Sequence, residues 1–228
     1  MRATITFNNV PFDRRLQPEW GFSVYIEGFP QKILFDTGAD GKILLSNMRL
    51  LGIDPKSIGL LFFSHSHWDH TGGAEAFLKE NPDVSIYVLS SFASMFRDYR
   101  EVISDEPQRL LGGVLSTGKM GITIEEQSLL VNTAKGWVIF TGCSHPNVAD
   151  IVERAKEVTK GGIHLVMGGF HLPGYEEPVI KGIIRRFRQA GVEKVAPSHC
   201  TGEPAFRLFK EEYGEDYLET GVGSVIEI

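Results

Sequence analysis

Ser64-His65-Ser66-His67-Trp68-Asp69-His70 places three imidazoles and a carboxylate within the six positions 65–70, directly after the apolar run 60–63. In extended backbone leaving a strand, side chains two residues apart point the same way. The rings of His65 and His67 then share a side, and Asp69 and His70 follow on a chain that is already turning. Imidazole nitrogen and carboxylate oxygen suit zinc, and also manganese or iron; two such ions ~3.5–4 Å apart can share a water. The stretch reads as a metal site, against the plainer reading of a histidine-rich surface loop.

The rest of the composition is that of an ordinary soluble globule. Of 228 residues, 42% are hydrophobic and 23% charged, enough for a large core, and one domain over 1–228 is expected. A net charge of −6 argues against a surface that neutralises many phosphates, so a nucleic-acid partner is disfavoured. The first residues lack the apolar core of a signal peptide, and no apolar run approaches the ~20 residues of a membrane span. The protein reads as cytoplasmic, with no membrane partner. Its two cysteines, Cys143 and Cys200, each stand near a histidine and lack a disulfide-like spacing.

Working outward from the histidines, 58–63 reads as the buried strand that delivers them, and three strands at 3–7, 22–27 and 32–35 precede it as an antiparallel meander. The third runs into Asp36-Thr37-Gly38, which is either a plain turn or a carboxylate placed to orient a histidine. Helices are expected over 43–51, 74–79 and 91–99, the last burying Phe92, Met95, Phe96 and Tyr99. The segment 100–127 is irregular. A hairpin at 129–133 and 137–140 ends on Cys143 and His145, and a helix with Ser144 as its cap opens at Pro146. The strand 164–167 leads to His171 and 192–197 to His199, with a helix at 178–190 burying Val179, Ile180, Ile183, Ile184 and Phe187. Arg185, Arg186 and Arg188 on its other side read as a solvated face, with phosphate binding as the alternative. His164, inside a strand, reads as a satisfied histidine.

Five strands therefore end on residues of metal-site type: Asp36, the 65–70 cluster, Cys143 with His145, His171, and His199. These residues resemble the metallo-β-lactamase superfamily over most of the chain. More narrowly, Ser64–Gly73 read with Gly142-Cys143-Ser144-His145-Pro146, Gly168-Gly169-Phe170-His171-Leu172 and Ser198-His199-Cys200-Thr201-Gly202 resembles one branch. That branch includes the dihydropterin ribofuranosylaminobenzene phosphate synthases and similar hydrolases. The resemblance implies an α/β fold, a four-layer αββα sandwich, with the metals at one edge of its two sheets. It also implies that His65 and His67 belong to one metal and Asp69, His70 and His199 to the other. One departure stands out: the superfamily usually carries a further ligand histidine, yet none occurs between His70 and His145. His145 is taken to replace it. Cys143 stands where the bridging aspartate would follow the Gly142 turn, and either coordinates or does not.

The function expected is a metal-dependent hydrolase with two divalent transition metals, zinc before manganese or iron. A metal-bound hydroxide, available near neutral pH, would attack a small ester or phosphoester. Asp69 would orient the nucleophile, and His171 is a candidate acid/base group or a structural residue. The preferred partner is a phosphate-containing small molecule. The alternative is a dihydropterin–aminobenzene phosphate synthase-type transferase using the same metals.

Overall fold

A computed structural model describes residues 1–228, which divide into two compact units: Met1–Asp105 with Thr220–Ile228, and Glu106–Glu219. In the first unit β1 (Arg2–Asn8), β2 (Phe22–Glu27) and β3 (Lys32–Phe35) form the expected antiparallel meander. Then β4 (Ile58–Phe62), β5 (Ser85–Val88) and β6 (Glu101–Ile103) add in parallel beside β3, while Val225–Glu227 pairs with β1 at the other edge. Parallel neighbours need crossovers: α1 (Gly41–Leu50) joins β3 to β4, α2 (Trp68–Thr71) and α3 (Ala74–Glu80) join β4 to β5, and the turn Ala93–Phe96 joins β5 to β6. The Asp40 carboxylate caps α1 by accepting from the amides of Lys42 and Ile43. Leu44 and Met48 of that helix pack with Phe7, Leu34, Leu61, Phe63 and Phe77 in one buried cluster.

The second unit repeats the logic. Here β7 (Gln108–Leu111), β8 (Val114–Ser116), β9 (Leu129–Thr133) and β10 (Gly136–Thr141) run antiparallel; β11 (Ile163–Gly169) and β12 (Lys194–Ser198) join in parallel. Three amphipathic helices, α4 (Val148–Thr159), α5 (Glu177–Ala190) and α6 (Glu203–Tyr213), bury Val152, Ile180, Ile184 and Leu208. Phe170, Phe187 and Phe209 meet edge to face at centroid distances of 5.2, 5.5 and 5.7 Å. In open α/β sheets the C-terminal ends of parallel strands are where loops gather functional groups. Asp36, the histidine cluster, His171 and His199 all follow such ends.

Some local expectations need correction. The chain at 91–99 makes only a 3₁₀ turn, Ala93–Phe96, because the bond from the Ile86 amide to the Arg100 carbonyl already draws it back to the sheet; Met95 is 55% exposed. The α4 cap is Asn147, whose side chain accepts from the Ala149 amide, and not Ser144. Val179 lies on the exposed side of α5. The irregular segment contributes β6, β7 and β8. Among the arginines, Arg186 is paired with Asp150 and Glu153, and Arg188 with Glu212 while lying 3.7 Å from the Tyr213 ring centroid, as a solvated face should be. His164 sits in β11 with Nδ1 2.7 Å from a Glu193 carboxylate oxygen.

Candidate metal centre

Within the first unit the four predicted donors are adjacent. The ring of His65 lies 4.8 Å from that of His67 and 4.2 Å from that of His70, and His70 Nε2 is 3.9 Å from Asp69 Oδ2. His65, Asp69 and His70 are buried, and His67 is half-buried. The cause is the chain's path after β4: it bends at Ser64 and Ser66, His67 is extended, and α2 follows with Asp69 and His70.

The organising group is Asp36, fully buried at the end of β3. Parallel pairing of Phe35 with Phe62 sets it beside Ser64. Its Oδ1 accepts from the Ser64 amide at 2.8 Å, and its Oδ2 accepts from Ser64 Oγ at 2.7 Å and contacts His70 Nδ1 at 2.7 Å. Donors on both oxygens favour the ionised carboxylate, which can only accept, so His70 carries its proton on Nδ1. Ser64 Oγ spends its one proton on Asp36. Its 2.9 Å contact with His65 Nδ1 is therefore a bond in which the imidazole donates. Both rings are thus held in the tautomer that leaves the Nε2 lone pair available to a metal. Asp69 is steadied from the side, its Oδ2 accepting from Trp20 Nε1 at 2.9 Å.

The second unit has a matching device that the sequence reading missed. Glu126, 1% exposed, precedes β9, and antiparallel pairing of Leu129 with Phe140 carries it opposite Cys143. Its Oε1 accepts from the amides of Gly142, Cys143 and Ser144 at 2.9–3.1 Å. Its Oε2 accepts from the His145 amide and from His145 Nδ1, both at 2.9 Å. One buried carboxylate thus shapes the whole loop after β10 and sets His145, too, in the tautomer that leaves Nε2 free to accept or to bind a metal. The His171 ring lies 4.6 Å from that of His145 and is exposed. His199 is buried at the end of β12.

Backbone strain marks the same places. Asp36, Ser144, His171 and His199 have φ of 53°, 64°, 51° and 48°, a left-handed region that non-glycine residues seldom occupy and that gathers at functional sites. Close approach demands glycine at Gly168, where a Cβ would stand 1.9 Å from the Thr141 carbonyl oxygen.

Neither cysteine is in a disulfide, and both are buried. The Cys200 thiol is held well below its ordinary range, first by its hydrogen bond with Cys143 and further by His171 and His199, against the opposing effect of burial. The donor set as a whole fits transition metals: imidazoles oriented through Nδ1, a carboxylate and thiols.

Comparison with known proteins agrees with this chemistry. The family model described as the metallo-beta-lactamase superfamily matches residues 21–157. The 7,8-dihydropterin-6-methyl-4-(beta-D-ribofuranosyl)-aminobenzene-5'-phosphate synthase of Methanocaldococcus jannaschii is 30% identical, over 92% of this chain and 91% of that protein. A solved structure described as Tm1679, a metal-dependent hydrolase of the beta-lactamase superfamily, superposes with a TM-score of 0.85 at 27% identity, covering 100% of this chain and 99% of the other. The metallo-beta-lactamase fold protein YhfI of Bacillus subtilis shares the fold, with a TM-score of 0.67 at 14% identity over 99% of each chain. With two mixed sheets, their helices and this motif order, the chain belongs to the metallo-beta-lactamase superfamily.

Proposed function

We propose that this protein is a metal-dependent hydrolase of a small ester or phosphoester. In this reading, carried over from the family resemblance, His65 and His67 belong to one divalent transition metal and Asp69, His70 and His199 to the other, with His145 as the replacement for the superfamily's further ligand histidine and zinc favoured over manganese or iron. The observation that carries the reading is the pair of buried carboxylates, Asp36 and Glu126, each fixing imidazole Nδ1 so that Nε2 is the donor. When bound, such ions polarise the scissile group and lower the pKa of water towards ~7. The chain's own residues do the rest. An Asp69 oxygen accepts a hydrogen bond from the attacking water and so aims its lone pair at the substrate, while Trp20 keeps the carboxylate from swinging away. His171, exposed and beside His145, delivers a proton to the leaving oxygen.

A phosphate-containing small molecule is the substrate class favoured by the resemblance. Nucleic acid and membrane partners are disfavoured by the net charge of −6, and no helix is long and apolar enough to cross a membrane. Two buried cysteines outside any disulfide suit a reducing compartment such as the cytoplasm. The second reading, a synthase that joins a pterin diphosphate to an arylamine phosphate, is favoured by the 30% identity to the Methanocaldococcus jannaschii synthase. The test is to assay metal-loaded protein against phosphomonoesters, phosphodiesters, carboxylic esters and lactones, and separately with the pterin diphosphate and arylamine phosphate together. Hydrolysis of at least one ester class without coupling is expected. Coupling without hydrolysis would transfer the site to the second reading.

A further inference from the structure

Two features of the second unit are not used by the reaction above: its pair of thiols, and the bare glycine between them. Cys143 follows β10 and Cys200 follows β12, and these strands are separated by β11. Side chains two strands apart do not ordinarily meet, because neighbouring strands lie ≈ 4.8 Å apart and the strand between carries its own side chains. Here the intervening residue is Gly169. A Cβ on it would stand 2.6 Å from Cys200 Sγ and 3.3 Å from Cys143 Cα, so the missing side chain is what lets the thiols approach. The result is that Cys143 Sγ, Cys200 Sγ and a ring nitrogen of His171 all lie within 4.8 Å of one another.

Two thiols brought together in this way can form a disulfide or share a metal. A disulfide asks for Cα atoms roughly 4.4–6.8 Å apart, whereas two strand spacings amount to about 9.6 Å. A shared tetrahedral ion asks less of the backbone. With a metal–sulfur bond of ~2.3 Å the two sulfurs stand about 3.8 Å apart, and an imidazole nitrogen at ~2.0–2.1 Å completes three corners. The donor separations present, all within 4.8 Å, are compatible with that geometry.

We propose that Cys143, Cys200 and His171 form a thiolate–imidazole site for one soft metal ion of the zinc, cadmium or cobalt(II) class, with a fourth position open to solvent or ligand. None of its donors is among the six assigned above to the two reactive ions. Binding displaces one proton from each thiol and leaves no redox change to balance. Filling it also engages His171, so soft-metal load would compete with proton delivery. That consequence rests on the function proposed above, and the site itself does not.

The test is titration of metal-free full-length protein with cobalt(II), reading the visible d–d bands and the near-ultraviolet sulfur-to-cobalt charge-transfer band. Wild type should show the charge-transfer band. In Cys200→Ser it should fall at least tenfold, with one fewer cobalt bound per chain at saturation. His171→Ala should keep the band but bind that ion more weakly. Cys200→Ala, with circular dichroism on every variant, guards against misfolding. The proposal is overturned if wild type shows d–d bands with no sulfur band, or if the sulfur band survives in both Cys200 variants. The latter would leave Cys143 as a lone ligand. A sulfur band with no further cobalt bound would leave this site standing and remove the two-metal reading.

Discussion

Asp69→Ala is expected to lower kcat/KM by roughly two to four orders of magnitude while the fold survives. On the proposed function Asp69 would contribute both a ligand oxygen and the acceptor that aims the attacking water, roles that no neighbour in its short helix can take over. The backbone of that helix is held without the carboxylate. The amides of His70 and Thr71 both donate to the His67 carbonyl, and the Gly72 amide donates to that of Trp68. The main structural loss is the partner of Trp20 Nε1, and Trp20, at 44% exposure, can turn to water instead. Activity paired with thermal denaturation followed by circular dichroism checks this. Turnover within a factor of a few of wild type would show that Asp69 serves neither role.

Glu126→Gln should act differently, through another residue and on two observables. The retained amide oxygen can still accept from Gly142, Cys143 and Ser144, but the new NH₂ group faces two donors, the His145 amide and Nδ1–H. The cheapest relief is for His145 to move its proton to Nε2 and accept through Nδ1, which removes the lone pair proposed to bind metal. If His145 ligates as proposed, affinity for one metal should fall about 10–100-fold, the usual cost of losing the group that orients a ligating histidine. The orphaned His145 amide should cost a further ~1–3 kcal/mol of stability. Nitrogen NMR of the His145 ring reads the tautomer, and isothermal titration reads the affinity. An unchanged tautomer with unchanged affinity would reduce Glu126 to a loop brace.

The sequence made much of this visible because strand ends and ligand residues coincide. The alternation and turns at 22–35 defined the meander, and the continuous apolar run before Ser64 marked a buried strand whose end must carry the site. Asp36 was legible only as one of two readings, since the choice between turn and orienting carboxylate depends on the β3–β4 register. Glu126 stayed hidden in the irregular 100–127 segment, although the readable hairpin of β9 and β10 contained the clue. With Leu129 opposite Phe140, extending the pairing three residues places Glu126 against Cys143. The meeting of Cys143 with Cys200 could not be read at all, because it needs the strand order β10-β11-β12 and the bare Gly169 between them. At 91–99 the helical spacing of aromatic residues misled: one 3₁₀ turn suffices to bury Phe92 and Phe96, leaving Met95 outside.

The most direct test of the account is the metal itself. Mildly purified protein, analysed by elemental mass spectrometry against protein concentration, should carry at least one transition-metal ion per chain. Metal-stripped protein should recover ions from zinc, manganese or iron, and His65→Ala should lower the number recovered. Protein that carries no metal, and takes up none of the three when each is added, would contradict the central claim that these oriented imidazoles exist to hold ions.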